Sequence, residues 1–164
     1  MKTRLKNTLI TSLFTVAALA APAAFADETP KPMNFGAPEA LAIVSNNTRH
    51  EFQVEIADDS AEQARGMMFR DVVEPDTGML FEFGGSEIRS IWMKNTSVFL
   101  DVLFVREDGR IVKVVHSAKP YSLRSMSSEF PVAAVLELAG GQVSELGIQT
   151  GDIVEHEFFG NAQK

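Results

Sequence analysis

The sequence predicts a mainly β domain, a compact antiparallel sandwich or part-closed barrel with one or two short helices. Three observations predict it. Apolar and polar residues alternate over short runs, as where Phe52, Val54 and Ile56 are set among Glu51, Gln53 and Glu55; that pattern buries one face of a strand and wets the other. Asn46-Asn47, Gly84-Gly85, Asp108-Gly109 and Gly140-Gly141 punctuate the runs, and such pairs tolerate the positive φ of tight turns. No long amphipathic helix separates the runs, which argues against a parallel α/β sheet.

The N-terminus reads as a targeting segment. Lys2, Arg4 and Lys6 precede an apolar run over residues 9–21 and an Ala24-Phe25-Ala26 cleavage site. A run of 13 residues is too short and wrongly flanked for a membrane span. Residues 1–26 are therefore expected to be a cleaved signal peptide, and the mature chain to be periplasmic or secreted. Residues 27–39 read as a flexible leader, with prolines at 30, 32 and 38. Residues 40–160 read as a single β-rich domain and 161–164 as a C-terminal tail.

Within the domain, strands over 41–44 and 50–57 form a hairpin through Asn46-Asn47. Ser60, with Gln63 three residues on, fits a capping box for a short helix that Gly66 ends. Strands are expected over 79–83 and 88–93, divided by Gly84-Gly85. A hairpin over 99–105 and 111–116 turns at Asp108-Gly109. A long polar loop is expected over 119–131, then a strand over 132–138. Gly140-Gly141 opens a short helix through Leu146, and the last strand covers 153–159.

Composition excludes several classes of function. Loss of the signal removes three of 15 Lys and Arg but none of 22 Asp and Glu, leaving 12 cations against 22 acids, a net of −10. Nucleic-acid and general anionic-lipid binding need positive charge, so neither is expected. No cysteine is present, which removes disulfides, thiol nucleophiles and Cys-ligated metals. The three histidines show no metal spacing, and there is no phosphate loop, dinucleotide fingerprint or nucleophile elbow. No cofactor is predicted. Met67, Met68, Met79, Met93 and Met126, with His50, His116 or His156, are soft ligands for Cu(I) in principle. They form no M-x-M or M-x-x-M array, and methionine is an ordinary filler of cores.

The chemistry-bearing residues cluster between 65 and 101. Asp101 lies in the apolar run Leu100-Asp101-Val102-Leu103-Phe104. A carboxylate there must be paired, protonated or at a pocket edge. Arg65, Arg70, Lys94 and Asn95 are its candidate partners, in a ligand site or in a structural ion pair. Trp92 beside Lys94 offers a cation–π contact or a stacking platform, unless the ring is core. Glu137, in Val135-Leu136-Glu137-Leu138, is either a second pocket carboxylate or solvated.

Arg65-Gly66-Met67-Met68-Phe69-Arg70, Gly78-Met79-Leu80-Phe81, Trp92-Met93-Lys94-Asn95-Thr96, Leu100-Asp101-Val102-Leu103-Phe104 and Asp108-Gly109-Arg110 resemble, in order, the family called domain of unknown function 192. The likeness continues through Val135-Leu136-Glu137-Leu138 and Gly151-Asp152 and covers about residues 41–157. It implies a compact, mainly β, often exported domain and supplies no reaction.

The expectation from these readings is an exported single-domain protein that binds a small or extended ligand in the cell envelope, with Arg65, Arg70, Trp92, Lys94, Asn95 and Asp101 at or beside the pocket. One alternative is an envelope-acting hydrolase with Asp101 and Glu137 as its carboxylate pair. Another is an interaction module that docks an envelope protein through a sheet edge or the leader. Whether any reaction is catalysed stays open.

Overall fold

Seven strands, β1 (Glu39–Ser45), β2 (Thr48–Ala57), β3 (Thr77–Ile91), β4 (Leu100–Val105), β5 (Ile111–Ala118), β6 (Met126–Ala139) and β7 (Ile153–Glu155), form one curled sheet in the order β5-β4-β6-β3-β2-β1-β7. The computed structural model describes residues 33–163. The signal segment, residues 27–32 of the leader and Lys164 lie outside the described residues. Two short helices, α1 (Ser60–Arg65) and α2 (Gln142–Glu145), complete the fold with a 3-10 turn at Glu157–Phe159.

The two outermost strands approach each other at one end. Arg110, just before β5, bridges Ile153 at the start of β7, and Val154 N–H donates to Gly109 O at 2.7 Å. Gly109 is what permits this. Its φ of +79° makes the Asp108-Gly109 turn, and a Cβ there would stand 2.3 Å from Val154 O. The result is a part-closed barrel, with the rest of the β5 edge unpaired by any strand among the described residues.

Strand alternation gives the sheet two apolar faces, and both are covered. Leu41, Phe52, Leu80, Leu103, Leu136 and Val154 share the core inside the curl, where Val143 of α2 joins them. Ala57, Met79, Phe81, Leu100, Val102 and Val135 face the other way, under Met67 and Met93. A strand with both faces buried reads as a continuous apolar run, which is why all six residues of β4 are buried.

Most elements fall where the sequence puts them, with four corrections. The β1–β2 turn is Asn46-Asn47, both at positive φ. The cap of α1 is Asp59, not Ser60; its carboxylate accepts from Ala61 and Glu62 N–H, and Glu62 completes the capping box. Gly84-Gly85 does not end a strand, because β3 continues to Ile91 through register shifts against β6. The loop before β6 is shorter than expected, since β6 begins at Met126. The final strand stops at Glu155, where His156 caps the 3-10 turn. β2 and β3 run parallel, joined by the α1 crossover; every other strand pair is antiparallel.

Candidate functional site

Glu137 and Asp101 lie on neighbouring strands and meet opposite fates. Register pairs Asp101 with Leu138 and Glu137 with Val102, and directly opposed residues share a face. Asp101 therefore points into the curl beside Leu138, and Glu137 points to the other face beside Val102 and Met79.

Asp101 is fully buried. Its carboxylate accepts from Ser117 N–H at 2.7 Å, Val143 N–H at 2.8 Å and Gly141 N–H at 3.0 Å. Gly141 and Val143 lie at the start of α2, which has no cap from its own N-cap residue, so Asp101 supplies that cap from β4. None of Arg65, Arg70, Lys94 or Asn95 is its partner. The expected ion pair is replaced by backbone donors.

Glu137 is 3% exposed, and its carboxyl makes no hydrogen bond or ion pair among the described residues. It forms the floor of a cleft of about 100 Å³. Burial pushes its carboxyl up to about 8, against a smaller opposing pull from the Arg70 charge. It is thus largely protonated at neutral pH, a donor as well as an acceptor. No other acid lines this cleft.

Two cross-tied loops wall the cleft. The first, 66–70, leaves α1 at Gly66, whose φ of +47° turns the chain over Phe81. The second, 92–97, follows β3. Asn95 sits at positive φ; its carbonyl accepts from Phe69 N–H at 2.8 Å, and its amide reaches Met68 Sδ at 3.9 Å. Ser97 Oγ donates to Arg70 O at 2.7 Å. Arg65 lines the cleft and lies 4.7 Å from the Phe69 ring centre.

Trp92 is at the mouth and 51% exposed, so it is not a core ring. Lys94 Nζ stands 5.4 Å from its centre. Thr96 and Met67 are buried in the wall. Met67 also borders a second cavity of about 240 Å³ that holds Arg70 and Glu55, and Arg70 pairs with Glu55 at 2.5 Å. Glu55 and Glu137 both stand opposite Met79, one on each side. Two strand spacings of about 4.8 Å each separate them.

Of the six residues expected at a pocket, Arg65 and Trp92 line the Glu137 cleft. Lys94 and Asn95 contact its walls. Arg70 lines the adjoining cavity. Asp101 lies across the sheet. Glu55 was expected on a wet face; the 66–76 segment covers it, and long-range covering of this kind leaves no trace in strand alternation. Among the described residues no group of three or more His, Asp or Glu is placed to hold a metal. Met67, Met79 and Met93 are buried in the core.

A protein-family model matches residues 42–156; it is DUF192, described as an uncharacterized ACR. No curated protein matches the chain. Crystal structures that resemble it include the following two. A candidate transcription regulator from Sinorhizobium meliloti 1021 is 39% identical with a TM-score of 0.73, over 74% of this chain and 95% of that one. A protein of unknown function from Novosphingobium aromaticivorans DSM 12444 is 35% identical with a TM-score of 0.71, over 89% of this chain and all of the other.

Proposed function

The chain belongs to the DUF192 family, whose description carries no reaction, and we propose that it is an exported binding protein that receives one end of a small or extended ligand over Glu137. The observation that carries this reading is the Glu137 carboxyl, buried at the bottom of an open cleft with no hydrogen-bond or ion-pair partner among the described residues. A buried polar group without a hydrogen bond costs about 1–3 kcal/mol. A ligand oxygen that accepts the Glu137 proton offsets that cost. The exposed Trp92 ring offers a face for a flat apolar part of the same ligand.

The rim chemistry selects further. Arg65 and Lys94 stand at the mouth, so a cationic ligand is disfavoured and a neutral or anionic one accepted. The cell envelope is the location, from the signal-like residues 1–26. The hydrolase alternative loses its basis, since Asp101 and Glu137 face opposite sides of the sheet. Transcription regulation is not carried over from the Sinorhizobium protein: among the described residues the α-helices, of six and four residues, offer no recognition helix for a major groove.

The test is thermal stability of residues 27–164 against organic anions, glycan fragments and peptides. A saturable rise that disappears in Trp92→Ala and in Glu137→Leu, which removes the donor, supports the reading. A ligand whose effect survives both changes refutes this cleft as its site.

A further inference from the structure

The charge of this acidic chain is segregated. From Gly109 to Ser128 there is no Asp or Glu over 20 residues, while Arg110, Lys113, His116, Lys119 and Arg124 all fall there. The fold gathers four of these five around one groove of about 610 Å³ between β5 and the segment entering β6. One acid, Glu129, lines it, and it is already held by Lys113 at 2.6 Å. Lys119 and Arg124 are exposed and make no ion pair among the described residues.

The neutral groups in the groove are donors too. Ser122 Oγ accepts from Arg124 N–H at 3.3 Å, and Ser127 Oγ accepts from Glu129 N–H at 3.2 Å. Each hydroxyl keeps its own proton to donate elsewhere. Ser117 and Ser125 add two more hydroxyls to the lining. His116 Nδ1 is 3.1 Å from Ser144 Oγ, which orients the ring at the groove's side.

We propose that this groove is a second binding site, independent of the Glu137 cleft, for a phosphate-bearing ligand held by Lys119, Arg124 and the serine hydroxyls. A tetrahedral group with several terminal oxygens uses donors that converge from separate segments. A planar carboxylate is matched by a single fork. The bland account of the same residues is a charged edge strand that discourages edge-to-edge pairing. That account explains Lys113 on β5 but not Lys119, Arg124 and the hydroxyls facing it from the 119–127 segment.

The phosphate can arrive free or on a lipid headgroup, so the experiment has two arms at constant ionic strength. One titrates inorganic pyrophosphate and follows the backbone amides of residues 113–129 by NMR. The other sediments the protein with phosphatidylcholine vesicles carrying phosphatidylglycerol. Saturable binding in either arm, weakened tenfold or more in a folded Lys119→Gln/Arg124→Gln variant and unchanged in Trp92→Ala, supports the site. Which arm responds names the source. No saturation in either arm, or equal binding by the double variant, overturns it. The Trp92→Ala control keeps failure of this proposal distinct from failure of the first.

Discussion

Glu137→Gln should abolish a pH dependence of stability that the wild-type fold carries. The carboxyl has an ordinary value of 4.5 and is pushed up to about 8 by burial. The folded state therefore holds the proton more tightly than the unfolded chain. The stability from the protonated carboxyl is complete below 4.5 and is lost as pH rises to about 8. At about 1.36 kcal/mol per unit the whole shift amounts to about 5 kcal/mol. Between pH 5.5 and 7.5 the wild type should lose about 2–3 kcal/mol relative to the variant. That is a urea midpoint change of more than about 1 M for an m-value near 2 kcal/mol/M. The difference between the two proteins is the quantity to measure, because Glu82 is also raised, to about 7, by burial and the nearby Glu39 and Asp58 charges, and cancels in it. The buried amide of the variant adds its own desolvation cost, but equally at every pH. A wild-type minus variant difference that stays flat across this range would mean that Glu137 is ionised in the fold, and would refute the protonated-floor account of the cleft.

Asp101→Asn should cost about 2–4 kcal/mol in urea unfolding, because an amide cannot accept from all three backbone N–H groups and turns its own donor toward one of them. It should leave ligand binding intact at a temperature where the variant is folded. Trp92→Ala should change stability by less than about 1 kcal/mol, given its exposure, yet remove the ligand-induced thermal shift. Gly78→Ala should cost about 3 kcal/mol by denaturation, since its Cβ would stand 2.4 Å from Glu137 O and 2.7 Å from Leu138 Cδ2; a wild-type melting curve would show that β3 and β6 can separate freely there. Leu103→Ala, in the core inside the curl, should cost about 2–5 kcal/mol by the same assay.

Strand class and turns were legible because they are local. Asn46-Asn47 and Asp108-Gly109 need no partner to declare themselves, and β1, β2, β4 and β5 follow from them. The partners of β3 were not legible. Gly84-Gly85 looks like a stop in sequence, but β6 runs antiparallel beside β3 and carries it past the glycines through irregular pairing. The helix cap was misplaced by one residue for a related reason: both Asp59 and Ser60 suit the role, and only the backbone at Asp59, φ −105° and ψ 164°, decides.

The two carboxylates show where sequence reasoning about a site runs out. Asp101 and Glu137 carry the same signal, an acid inside an apolar strand, and only Asp101 follows closely on Lys94 and Asn95 in sequence. What separates them is the group waiting across space. Asp101 meets the open N–H groups at the start of α2, a fixed set of donors that satisfies its oxygens and completes the fold. Glu137 meets a methionine on either strand-side neighbour or loop, Met79 and Met67, and an opening toward Trp92. The thioethers give a charge no hydrogen bond, and the Arg70 charge offsets only part of the cost of burial. An acid kept there gives the folded state nothing that an apolar residue of similar size would not give better, and it lowers stability at neutral pH. A stability deficit carried by a side chain at the floor of an open cleft is the pattern expected where binding, rather than folding, uses the group.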